Sequence, residues 1–151
     1  MAVANARAEA LLFAAARSDH IDKTILPALE RGEWVVSDRF LDSSLAYQGE
    51  AGGLGIEAVR DLHRFGSLDY LPDRSLVLQL DEAEAGARAR VRDGHAGDRI
   101  GSRPPSYHAA VDAGFRTMVQ REPDRVKLID ASGPAATVTA RLLYALGDLL
   151  P

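Results

Sequence analysis

No cysteine occurs in the 151 residues. This excludes disulfides and thiolate metal sites and suits a reducing compartment. A run of about 18 apolar residues is also missing, so no membrane-spanning helix is predicted. The N-terminus shows no basic stretch followed by an apolar one and does not read as a signal peptide. A cytoplasmic location is therefore the default expectation. Lysine is scarce: of 18 basic residues only Lys23 and Lys127 are lysines, and the rest are arginines. Arginine suits bidentate contacts to phosphate, although a GC-rich coding bias, which also favours Ala and Gly, produces the same skew. A net charge of −4 lacks the basic footprint of a nucleic-acid binder. Neither nucleic acid nor membrane is expected as a partner. The four histidines have no metal-ligand spacing, and no nucleophile–base arrangement is visible, so no metal ligands are predicted.

What is present is ordinary for a globular protein: 46% hydrophobic and 26% charged residues. The length fits one domain, 1–151, able to bury roughly 68–70% of the surface its unfolded chain exposes. Ala6 to Arg31 reads as a helix, with Leu11, Leu12, Ala15, Ile21, Ile25 and Leu29 in helical register. Pro27 lies inside that pattern and should kink or divide it. Trp34 to Ser37, Ser75 to Leu80 and Val126 to Ile129 read as short strands. Each is followed by an acid, and each is apolar enough to be covered on both faces. Between them helices are expected from about Ile56 to Phe65, stopped by Gly66, then over Glu82–Arg92, Ser106–Arg121 and Ala135–Leu146. Ser132 is a candidate cap for the last of these. Strands alternating with helices predict an α/β fold with a parallel sheet, although three strands make a thin one.

The richest stretch is Trp34-Val35-Val36-Ser37-Asp38-Arg39-Phe40, continuing through Asp42-Ser43-Ser44 to Ala46-Tyr47-Gln48-Gly49. Ligands of open α/β sheets bind beyond the carboxyl ends of strands. An Asp-Arg pair placed there can serve a metal-bound water with one side chain and a phosphate with the other. The competing reading is a helix-capping Asp beside a surface Arg. Phe13 and Arg17 are four residues apart and share a helix face, but an aromatic on a helix is more often core than ligand.

Several segments follow one another in a telling order: Leu11-Leu12-Phe13-Ala14-Ala15-Ala16-Arg17, Asp38-Arg39-Phe40, Ser43-Ser44-x-Ala46-Tyr47-Gln48-Gly49, Arg88-x-Arg90-x-Arg92, Asp98-Arg99-Ile100 and Leu128-Ile129-Asp130-Ala131. With them the chain resembles thymidylate kinase, a nucleoside-monophosphate kinase of the P-loop class. The resemblance implies a three-layer parallel sheet of the P-loop kinase type with helices on both faces. It also implies transfer of a phosphoryl group from ATP to dTMP, with Mg²⁺, in a homodimer. Within it Phe13 would stack on the thymine base and Arg17 would reach the base edge or its phosphate. Arg39 would clamp the acceptor phosphate, and Asp38 would support the magnesium and phosphate region. Ser43, Ser44, Tyr47 and Gln48 would line the pyrimidine and sugar, with Ser43 equally readable as part of a hydroxyl-rich helix start. Arg88, Arg90 and Arg92 would be catalytic arginines of a lid, about residues 88–103, that also holds Asp98 and Arg99. On a rigid helix Arg88 and Arg92 share a face and Arg90 points elsewhere, so at least one of the three belongs to a solvated surface.

The sequence contains no G-x-x-x-x-G-K-[ST], the loop that cradles donor phosphates in this class. The family places that loop before every segment found here, on a strand central to its sheet. The expectation is therefore a chain lacking the N-terminal strands, with little or no turnover on its own. The alternative is a non-catalytic nucleotide-binding or dimerising remnant that keeps the acceptor pocket.

Overall fold

A computed structural model describes residues 5–93 and 103–150. Where the length suggests one domain, the chain gathers into two compact units. One comprises Met1–Leu71 with Ser106–Phe115, the other Pro72–Pro105 with Arg116–Pro151.

The first unit is helical. Asn5 opens α1 (Ala6–His20) by accepting the Ala8 N–H on its side chain at 2.8 Å. The helix does not break at Pro27. Its hydrogen bonding widens instead to i→i+5 over Ile21–Ile25, with the Leu26 N–H reaching the Ile21 carbonyl, and α2 (Leu26–Glu30) continues from there. Pro27 offers no N–H and its ring crowds the carbonyl four residues back. The wider turn just before it accommodates both. Gly32, at φ 75°, stops the run. After an extended stretch come α3 (Leu41–Ser44), a second wide turn over Leu45–Ala51, and α4 (Ile56–Ser67). Ala10, Ala14, Ile21, Ile25, Leu41, Leu45, Ala46 and Val59 form the core. The first part of α6 (Pro105–Arg121) belongs here as well. At Gly114 an added Cβ would lie 3.1 Å from the Ala46 Cα.

Gly66 does not end α4. It lies where α4 runs against α1, its carbonyl accepting from the Ser18 hydroxyl and its Cα facing Ala14. The helix stops one residue later, at Leu68 and Asp69, both in the left-handed region at φ 50° and 54°.

The second unit holds the sheet. Strands β1 (Ser75–Gln79) and β2 (Val126–Asp130) pair in parallel, Ser75 opposite Val126 and Gln79 opposite Asp130. Helix α5 (Glu82–Asp93) follows β1 and α7 (Ala135–Ala145) follows β2 and packs on it. Ser132 does not cap α7; its own N–H is taken by Asp130 Oδ1 at 2.9 Å, and Pro134 stands at the cap. The fold is thus α/β with a parallel sheet, but among the described residues that sheet has two strands. The predicted strand Trp34–Ser37 is extended and unpaired, with Val36 93% exposed. Strand character belongs to a pair, because an extended backbone becomes a strand only when a neighbour takes its N–H and C=O groups. For the same reason β1 and β2 are both edges, and burial on both faces is not reached: Leu78 is 56% exposed. No described helix is long and apolar enough to cross a membrane.

Candidate nucleotide site

The Asp38-Arg39 turn lies in the first unit between the extended stretch and α3. Arg39 has φ 69°, a left-handed conformation that costs a non-glycine residue about 1–2 kcal/mol. The Ser37 hydroxyl donates to the Arg39 carbonyl at 3.0 Å and fixes the turn. The Arg39 guanidinium sits 4.9 Å from the centre of the Tyr47 ring, a cation–π distance. Tyr47 in turn meets the ring edges of Tyr107 and Phe115, each at a centroid distance of 6.3 Å, and its carbonyl accepts from the Tyr107 hydroxyl at 3.3 Å. Asp38 and Arg39 themselves are exposed. Backbone strain at an exposed arginine seated on an aromatic is a mark of a functional position.

Arg17 stands at the centre of a second cluster in the same unit. Its Nη1 donates to the Ser44 hydroxyl at 3.0 Å and lies 3.1 Å from His63 Nε2. Its Nη2 donates to the Phe40 carbonyl at 2.9 Å, and its guanidinium carbon is 5.3 Å from the centre of the Phe40 ring. Burial brings the Arg17 pKa down to about 10, opposed by the nearby Asp42 carboxylate; the group stays charged at neutral pH. Burial first, and then the Arg17 charge, push the His63 ring down to about 4, with Asp69 pulling the other way.

The remaining predicted residues divide. Phe13, one turn before Arg17 on α1, is 44% exposed, so its ring is not core. Ser44 is buried in the Arg17 cluster, while Ser43 is half-buried and uses its N–H on the Phe40 carbonyl. Gln48 is buried and donates to Glu9 at 3.0 Å. Arg88, in the second unit, donates to Glu84 at 2.6 Å and to the Gly133 carbonyl at 3.2 Å. The side chains of Arg90 and Arg92, and the whole of Asp98 and Arg99, lie outside the described residues.

His63 is the residue the sequence did not bring forward, and Asp42, though inside the richest stretch, has no role assigned to it there. Val59, His63 and Ser67 form a buried stripe at four-residue spacing on α4. A histidine within such a stripe was the one legible sign of it. No group of three or more His, Cys, Asp or Glu able to hold a metal occurs among the described residues.

Comparison with known proteins identifies related sequences. A family model described as thymidylate kinase matches residues 2–142. A thymidylate kinase of Rhizorhabdus wittichii is 54% identical over 147 residues, which cover 97% of the chain and 71% of that relative. A thymidylate kinase of Lactobacillus delbrueckii is 47% identical over 148 residues, covering 97% of the chain and 69% of the relative. A third, from Gluconobacter oxydans, is 46% identical over 146 residues.

Proposed function

The chain belongs to the thymidylate kinase family, and we propose that its first unit binds the acceptor nucleotide in the reaction ATP + dTMP → ADP + dTDP. The chemistry is that of a nucleoside-monophosphate kinase, a phosphotransferase. The observation that carries the acceptor assignment is Arg39, held at φ 69° with its guanidinium on the Tyr47 ring. A cation so fixed loses little entropy on meeting a phosphate, and its planar fork matches the phosphate oxygens.

In this reading Arg39 clamps the dTMP phosphate and Phe13 offers its exposed ring to the base. Ser43, Ser44, Tyr47 and Gln48 shape the pyrimidine and sugar side. Magnesium fits the exposed Asp38 carboxylate, because Mg²⁺ is commonly held by one or two carboxylates, with substrate phosphates and water completing its shell. When bound, it neutralises charge on the phosphates. Asp38 would orient that ion, and Arg39 would hold the acceptor oxygen in line. Arg88, Arg90, Arg92, Asp98 and Arg99 are proposed as a lid, about 88–103, that neutralises developing charge on closure. The parallel sheet would be of the P-loop kinase type, with helices on both faces. A homodimer is part of the proposal, supported by the exposed Leu11 and Leu12 on α1, and so is a cytoplasmic site of action.

Calorimetric titration with dTMP tests the assignment. The wild type should bind, and Arg39→Ala should weaken binding at least about tenfold, the worth of one charge-assisted contact of ~1.5–3 kcal/mol. Equal affinity in the two proteins, or no binding by the wild type, refutes it.

A further inference from the structure

His63 and Ser67 are the buried polar residues of the first unit that keep a side-chain atom without a partner among the described residues. His63 is 1% exposed, and its unpartnered atom is Nδ1. Its engaged ring atom is Nε2, 3.1 Å from Arg17 Nη1. Arginine carries only donors. Nε2 must therefore accept, and the ring proton must sit on Nδ1. The protein thus tolerates an unsatisfied buried N–H in order to present a lone pair to Arg17. An apolar side chain at this position would pack without that cost, so packing alone does not explain the histidine.

The lone pair fixes the guanidinium. Ser44, the Phe40 carbonyl and His63 take three of its five N–H groups, and the Phe40 ring lies against its face. Among the described residues two donors are left, the Nε–H and one Nη2–H. Ser44 and Phe40 both belong to the segment that follows the Asp38-Arg39 turn, whereas His63 comes from α4. The two elements together set the plane in which the free donors lie.

We propose that His63 is a positioning residue for the acceptor nucleotide. It acts through Arg17, by holding the guanidinium so that its two unengaged N–H groups meet dTMP. This rests on the acceptor-site reading above and extends it to a residue that has no contact with the nucleotide.

A double-mutant cycle on dTMP affinity is the test. His63→Leu, which keeps volume and loses the acceptor, should weaken binding about tenfold. His63→Gln can place an oxygen near the position of Nε2, and it should bind within about threefold of the wild type. In an Arg17→Met background, His63→Leu should change affinity less than twofold. Equal losses in both backgrounds, or a Gln variant as weak as the Leu variant, overturn the proposal while leaving the Arg39 assignment standing. Should His63→Leu fail to fold, His63→Asn replaces it, being polar but one bond too short to reach Arg17. The Arg39→Ala titration reports on the acceptor site separately. If the wild type does not bind dTMP, that reading falls, and the ring itself decides the tether. In ¹⁵N spectra of the wild type at pH 7, His63 should be neutral with its proton on Nδ1, and Arg17→Met should shift the population toward Nε2–H. A ring already protonated on Nε2 overturns the tether.

Discussion

Acid should destabilise the first unit through His63. The ring titrates at about 4 in the folded chain against an ordinary 6.5. Above pH 6.5 it is neutral in both states and contributes no pH dependence. As pH falls below 6.5 the unfolded chain takes up a proton that the folded chain refuses, so stability is lost until pH reaches about 4. The gap of about 2.5 pH units corresponds to about 3–4 kcal/mol at about 1.4 kcal/mol per unit. Roughly 1 kcal/mol should be gone by pH 6 and about 2 kcal/mol by pH 5. Solvent does not screen this effect, because the ring is 1% exposed. Protonation would also set a donor against Arg17 Nη1, 3.1 Å away.

Urea unfolding of the wild type and His63→Gln at pH 7.5, 6 and 5 measures the effect. The other three histidines occur in both proteins, so they cancel in the difference. Asp42 and Asp69, the carboxylates that act on Arg17 and on the ring respectively, are also present in both. Between pH 7.5 and 5 the wild type should lose about 2 kcal/mol more than the variant. Curves parallel to within about 0.5 kcal/mol would show that the ring is hydrated or charged in the folded state, and the account of the Arg17 cluster would fail with it.

Gly114→Ala should destabilise the first unit by ~1–3 kcal/mol, since its Cβ would come within 3.1 Å of the Ala46 Cα and 3.2 Å of the Glu50 Cβ; a lowered thermal midpoint checks it, and an unchanged one would show that α6 shifts freely. Arg74→Ala should cost ~1–2 kcal/mol in urea unfolding, because Arg74 ties the Ala145 carbonyl at 3.1 Å and Asp148 at 2.6 Å to the start of β1. The same substitution should raise the Asp148 pKa, which the Arg74 hydrogen bond holds below its usual range, and carboxyl NMR titration reads this directly.

Much of the fold is legible in the sequence because it is local. The 3.6-residue period of Ala6–Arg31 and the apolar runs ending at Asp81 and Asp130 each carry their own signal, and helices and strands appear within a residue or two of the expected bounds. The exceptions depend on partners. Trp34–Ser37 has the same local pattern as the two true strands, but no neighbouring strand among the described residues completes it. Gly66 reads as a stop signal, whereas α4 runs on to Ser67 and the Gly66 carbonyl accepts from Ser18 of α1, 48 residues away in sequence. The candidate site divides in the same way. Asp38-Arg39 is visible from its place after an apolar run. The partners of Arg17 stand 23, 27 and 46 residues from it, where no spacing rule reaches.

That long-range cluster bears on function as well as folding. Burying a guanidinium costs several kcal/mol unless it is paired and hydrogen-bonded, and even a well-paired buried charge is often no more stable than apolar residues of equal volume. Arg17 is paired: Asp42 supplies the opposing charge, and Ser44, Phe40 and His63 supply acceptors. Stability alone would be served as well by leucine at Arg17 and His63. An apolar core cannot supply a charged, planar donor whose orientation is set before the ligand arrives. Pre-set donors save the ordering entropy that a free arginine would lose on binding. The same logic applies to Arg39, whose left-handed backbone costs free energy before any phosphate is bound, while the Tyr47 ring holds its guanidinium in place. Two arginines from distant parts of the chain are thus both immobilised at the expense of stability. Recognition of a ligand with an anionic end and a polar edge, as a nucleoside monophosphate has, accounts for both expenses together; a purely structural role accounts for neither.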